Sequence, residues 1–244
     1  MDDALRALGL LWGQEPASRR GPSQKTSVEE IVGAAIELAD RDGLSGVTMR
    51  AVGQQLGRTA MSLYTYVPGR DVLVALMYDR AHGEATSSRG RLGWRKAVMA
   101  WSTDLRDLYF RHPWVLEISQ ARPVFGPHEQ EVLERLLAIL AGEGTTASDR
   151  RAVTSALFSI VRESAKRKAE AAAESEHGAE WWAGRAEALQ AVAPDFATRF
   201  PESVALSHDQ SELGPKPWIK AAEDAFRDAV TLLLDGLEPR LTAS

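Results

Sequence analysis

The stretch from residue 47 to residue 77, "VTMRAVGQQLGRTAMSLYTYVPGRDVLVALM", reads as two short helices joined by a tight turn and followed by the start of a third. Thr48 caps "MRAVGQQL", whose Val52 and Leu56 share a face and whose stop is Gly57. Thr59 caps "AMSLYTYV", which ends at Pro68-Gly69, and a further helix begins near Arg70 with Leu73, Leu76 and Met77 turned inward. In the middle helix only Leu63 and Val67, four apart, make a core stripe. Thr59, Ser62, Tyr64, Thr65 and Tyr66 crowd hydroxyl groups where there is little apolar material to bury them.

Just upstream, "SVEEIVGAAIELADRDG" opens with Ser27 and Glu30 at capping-box spacing and carries Ile31, Ala35, Leu38 and Ala39 on one face, with Gly43 at its end. Three short helices with a tight Gly57 turn match the helix-turn-helix layout, whose last helix enters the DNA major groove. The plain alternative is a solvated face on an ordinary helical hairpin. Local charge favours the groove. The whole chain has a net charge of −5, yet no acidic residue lies between Gly43 and Arg70, where Arg50, Arg58 and Arg70 recur. From Asp71 onward acids outnumber bases, 26 to 21. One small positive face is carried on an acidic body.

From about Ser27 to Asp79 the chain resembles the DNA-binding domain of the TetR family of bacterial repressors, in the pattern Thr-x-Arg, Leu-Gly, Leu-Tyr-x-Tyr/His and a basic residue opening the next helix. The form "MSLYTYVPGRD" is most similar to the actinobacterial branch nearest the tetracycline repressor itself, and "LLWGQEPASRRGPS" looks like a leader found there too. The resemblance implies phosphate contact at Thr48 and a base or backbone contact at Arg50. It implies that Ala60, Met61, Ser62, Tyr64 and Thr65 line the groove-facing side, that Tyr64 and Tyr66 meet phosphates, and that Arg70 replaces the usual lysine. Arg58 joins Tyr66 and Arg70 in setting affinity. Ala60 and Met61 replace polar or proline residues of the relatives, which favours contact with a thymine methyl.

Residues 1–26 lack a sustained period and contain "EPASRRGPSQKT", which reads as a flexible arm. Arg19, Arg20 and Lys25 make it basic, fit either for the minor groove or for a solvated tail. Downstream of the head every segment reads as helix, apart from a loop region from about Pro194 to Pro217. The fold class is therefore all-α: an arm over 1–26, a helix-turn-helix domain over 27–70 and a helical bundle over 71–244.

In the family the larger domain binds a small molecule and forms the dimer. Val153 and Leu157, with Ile160 and Val161, make one stripe, and Phe226, Val230, Leu233 and Leu237 make another. They form either a four-helix contact across a two-fold axis or intramolecular core. Trp101, Tyr109, Trp114, Phe125, Phe158 and Arg162 are the pocket candidates, since aromatics with one charged residue fit a flat, partly polar organic ligand. Trp181 and Trp182 either gate that pocket or face the dimer partner.

Catalysis is not expected. Five scattered histidines form no H-E-x-x-H, and neither G-x-S-x-G nor a glycine-rich phosphate loop occurs. His112 and His128, each beside a proline, read as turn residues. Cysteine is absent, which excludes disulfides and thiolate metal sites, and no cofactor or metal is expected. Neither a membrane span nor a basic signal-peptide start is present, in keeping with a cytoplasmic protein. The expectation is a homodimeric repressor that binds a palindromic DNA operator and is released by a small aromatic or polycyclic inducer. Its alternatives are a sequestering protein with a vestigial head, and an activator of the same fold.

Overall fold

The computed structural model describes residues 2–14, 26–85, 92–173, 178–211 and 217–241. Among them no strand occurs, and the elements are α-helices with three short 3-10 turns. No helix among the described residues is long and apolar enough to cross a membrane.

The head is built as its caps dictate. Helix α2 (Val28–Asp42) starts in a capping box, with Ser27 Oγ accepting from Glu30 N at 3.0 Å and Glu30 Oε2 accepting from Ser27 N at 2.9 Å. Thr48 Oγ1 accepts from Ala51 N to start α3 (Met49–Gln55), and Thr59 Oγ1 accepts from Ser62 N to start α4 (Ala60–Leu63). Between them Gly57 has φ +65°, a left-handed conformation that glycine adopts without strain. Helix α4 is shorter than the apolar spacing predicts. Its Leu63 carbonyl receives both Tyr66 N and Val67 N, so the backbone tightens into a turn two residues before Pro68. Leu63 and Val67 are fully buried, as their spacing predicts.

Helix α5 (Arg70–His82) leaves the head and enters the body, where it packs on α7 (Pro127–Gly142). The body is completed by α6 (Trp94–Arg111), α8 (Ala147–Ala173), α9 (Gly178–Val192), α10 (Phe196–Arg199), α11 (Pro201–Ser211) and α12 (Pro217–Leu241). Helix α8 is its axle, packed on α6 along one side and on α12 along another. One apolar core runs unbroken from Ile31 in the head to Leu237 in the body.

Two expectations fail locally. Within the arm, residues 2–11 form a helix, α1 (Asp2–Leu11), which lies on α5 and buries Leu10 and Leu11. A helix this short is marginal in isolation, so its order comes from that docking, which local sequence does not reveal. The loop expected from Pro194 to Pro217 contains α10 and α11. Pro201 opens α11 instead of breaking it, because proline at the first helical position sacrifices no hydrogen bond.

Candidate functional site

The outer surface of α3 and α4 divides into groups already engaged and groups left to solvent. Arg50 is exposed with no intramolecular partner, Met61 is 78% exposed, and Tyr64 is 44% exposed. Ser62 Oγ donates to Thr59 O at 2.7 Å and Thr65 Oγ1 donates to Ser62 O at 2.6 Å, so both keep only acceptor capacity outward. Ala60 and Tyr66 are half-buried against the core. Arg58, exposed, donates to Thr26 Oγ1 at 3.1 Å.

Arg70, exposed at the start of α5, is engaged within the head. Its Nε and Nη2 each donate at 2.7 Å, to Val47 O and Leu44 O, which fastens the start of α5 to the turn before α3. Thr48 and Thr59 are likewise caps, exposed but committed to backbone amides. Arg19 and Arg20 lie outside the described residues.

In the body, a cavity of about 340 Å³ opens between α5, α7, α8 and the segment from Ile118 to Val124. Of the six pocket candidates only Phe158 lines it. Trp101 supports Phe158 from behind, edge to face at 5.4 Å, with its Nε1 donating to Val132 O. Tyr109 is fully buried deeper in the core, beneath the Arg162 guanidinium at 5.9 Å, and Arg162 donates to Leu116 O at 2.6 Å. Phe125 is 56% exposed on the rim. Trp114 belongs to the junction between head and body, where its Nε1 donates to Asp40 Oδ1 of α2 at 2.7 Å.

Sequence reasoning missed Tyr78 and His82, one turn apart on α5, whose rings meet at 4.2 Å, tilted by 43°, and both line the cavity. Their i, i+4 spacing was visible, but only the docked α7 and α8 turn that face into a cavity wall. The histidines read as turn residues also do more. His112 is buried between Asp40, at 2.7 Å from Nδ1, and Glu84, at 3.3 Å from Nε2. His128 Nδ1 meets Asp79 Oδ2 at 2.9 Å, and Asp79 Oδ1 accepts from Glu129 N, which caps the start of α7. Asp79 lies so close under Gly126 that any Cβ there would collide with it. The cavity's rim is thereby pinned to α5.

The dimer candidates are consumed within the protomer. Val153, Leu157, Phe226, Val230 and Leu237 are buried where α8 and α12 meet, and Leu233 is half-buried beside them. Inward stripes on two adjacent helices cover each other, so the five buried residues pack within the chain. Trp181 is 55% exposed with Arg185 over its ring, away from the cavity's lining, and the side chain of Trp182 lies outside the described residues. Among the described residues no group of three or more histidines and carboxylates is arranged to hold a metal ion.

Known proteins share this arrangement. A family model for the tetracyclin repressor-like C-terminal domain matches residues 87–241. The chain is 34% identical over 245 residues to the HTH-type transcriptional repressor DrrR1 of Streptomyces coeruleorubidus, covering 97% of this chain and 86% of that protein. It is 32% identical over 157 residues to an HTH-type transcriptional regulator of Saccharopolyspora erythraea, covering 64% of this chain and 66% of that one. Among solved structures, ActR of Streptomyces coelicolor in complex with actinorhodin superposes with a TM-score of 0.70 at 24% identity, over 88% of this chain and 98% of that one. BioQ with its double-stranded DNA operator superposes with a TM-score of 0.52 at 21% identity, over 60% of this chain and 89% of that one. With the capped helix-turn-helix, the α5 connector and the all-helical body in place, the chain belongs to the TetR family of transcriptional regulators.

Proposed function

We propose that this regulator is a homodimeric repressor that binds a palindromic operator and is released when a small aromatic molecule fills the body cavity. The observation that carries the reading is the pairing of an acid-free reading face with a ligand-sized cavity, joined by α5. Arg50, Met61, Tyr64 and Thr65 face outward for the groove, with Arg58 and the caps Thr48 and Thr59 at its edges. The repressor DrrR1, the BioQ operator complex and the ActR complex with actinorhodin support the same partners for this chain.

The units follow as a reading head over 27–70 and a ligand and dimer body over 71–244. Two heads about 34 Å apart read successive major grooves, which requires a two-fold dimer. Apolar surface for that contact lies on the outward face of α12, where Leu232 is 71% exposed, and in the groove between α8 and α12 formed by Ile160, Ala222 and Ala229. Ligand acts by favouring a body arrangement in which α5 swings the heads out of register. A differential affinity of about 3 kcal/mol shifts operator binding roughly a hundredfold.

The test is a mobility-shift titration with the DNA flanking the protein's own gene, using wild type, Arg50→Ala and Tyr64→Ala. Sequence-specific retardation lost in both variants supports the reading. Retardation of no flanking DNA, with small-molecule binding intact, replaces it with a sequestering protein whose head is vestigial.

A further inference from the structure

We propose that helix α1 is a strap that ties the rim of the cavity to the reading helix, in parallel with α5, so that the order of the one depends on the order of the other. The contacts stand by themselves, and their regulatory meaning rests on the repressor reading above. Helix α1 is too short to hold its shape alone, and two features fix it in place. Leu10 and Leu11 are buried, and the helix packs along α5. Its C-terminus closes in a paired turn, with Gln14 N donating to Gly9 O at 2.7 Å and Gly13 N to Leu10 O at 3.2 Å, and Gly13 takes the left-handed φ of +68° that this closure needs.

Each end of the docked helix holds a different functional region. Arg6 Nη2 donates to Thr65 O at 3.1 Å, in the turn that ends the reading helix. Thr65 Oγ1 is itself turned back onto Ser62 O, so Arg6 fastens the backbone of that turn. Six residues on, Trp12 Nε1 donates to Phe125 O at 3.0 Å on the cavity rim. Six residues of helix span about 9 Å, so one rigid piece of under two turns, with a long side chain at each end, reaches from the reading helix to the rim. Arg6 and Trp12 are thus positioning residues, each acting through a backbone carbonyl.

The rim is held in a form that the chain would not adopt alone. Phe125 has φ +57°, a left-handed value that strains a residue with a Cβ, and contacts on both sides keep it there. Its N–H donates to Glu129 Oε2 at 2.7 Å, and its carbonyl accepts from Trp12. Glu129 N in turn donates to Asp79 Oδ1 of α5 at 2.9 Å, and Glu129 lines the cavity together with the segment from Ile118 to Val124 that leads into Phe125. A strained residue relaxes when one of its restraints is removed, so the Trp12 bond and the Phe125 conformation support each other. A molecule that displaces the segment from Ile118 to Val124 therefore pulls on Trp12, and through α1 on the Thr65 carbonyl, without α5 having to turn.

Hydrogen exchange on the ligand-free full chain tests the strap. The reporters at the head are the amides of Tyr64, Tyr66 and Val67, bonded to Ala60 O and Leu63 O. Those at the rim are the amides of Val124 and Phe125, bonded to the Glu129 carboxylate. Trp12→Phe removes the rim bond and is expected to speed exchange of the head reporters severalfold, although the substitution lies at the other end of α1. Arg6→Ala is expected to speed exchange of the rim reporters, since coupling between two sites is reciprocal. Arg6→Lys, which keeps a donor for Thr65 O, is expected to restore most of the protection. The double variant Leu10→Ala, Leu11→Ala undocks the helix and loosens both sets.

Amides of α8 are the internal standard for global stability and are expected to stay unchanged. Effects confined in each variant to the end that was cut overturn the strap, as does acceleration at the far end matched by equal acceleration in α8. Operator retardation by the wild-type chain is measured alongside. Its absence overturns the repressor reading, while the exchange result decides the strap separately.

Discussion

Arg50 and Arg70 carry the same charge on the same small head, yet the fold employs them differently. Arg50 is exposed and unengaged, whereas Arg70 holds two backbone carbonyls. Arg50→Ala is therefore expected to weaken operator binding about tenfold and to reduce the slope of log affinity against log salt by about 1, measured by titration at several salt concentrations. Arg70→Ala is expected to act on stability, lowering it by about 1 kcal/mol in urea unfolding with little change in the salt slope. Arg70→Lys restores little, because an ammonium does not span two carbonyls as a guanidinium fork does.

At the scale of elements, the turn between α3 and α4 is a closely packed joint. A Cβ at Gly53 would come within 2.8 Å of Arg58 O. Gly53→Ala is accordingly expected to destabilise the head by about 1–3 kcal/mol and to weaken operator binding, read by thermal melting and mobility shift. The joint between α5 and α7 depends on Asp79, 4% exposed, which receives Glu129 N and His128. Asp79→Ala leaves both without their acceptor, and a loss of about 1–3 kcal/mol is expected in urea unfolding. Helix α1 shows how an element escapes notice in sequence. Its leucines, Leu5, Leu8, Leu10 and Leu11, lie in a helix of 10 residues that is too short to be stable alone, and only the surface of α5, which buries Leu10 and Leu11, turns it into a docked helix.

For the whole molecule, stability is linked to pH through His82. Its pKa in the folded state lies below the unfolded value of 6.5, so the unfolded chain binds the extra proton as pH falls. The stability tied to neutral His82 is complete above about pH 6.5 and is lost as pH drops toward the folded pKa. Urea midpoints between pH 7.5 and 5 should fall more steeply for wild type than for His82→Phe. Assembly is also a property at this scale. Leu232→Glu is expected to shift the proposed dimer toward monomer in analytical ultracentrifugation and to cost most of the operator affinity, because one head then binds alone.

The sequence by itself determined the all-helical class, the capped helices of the head, the Gly57 turn and the acid-free face, because caps, turns and charge runs act over three or four residues. It also carried the family, through residues spaced along one continuous stretch. Only the tertiary structure decided that five of the six dimer candidates are buried and the sixth, Leu233, half-buried, that Arg70 braces the start of α5, and that Trp114 and His112 sit at the junction of head and body. It alone brought Tyr78, His82, Thr154 and Phe158 around one cavity and laid α1 between rim and reading helix. An apolar stripe states that a face must be covered but not by what, and a polar group's role depends on the partner that folding places beside it.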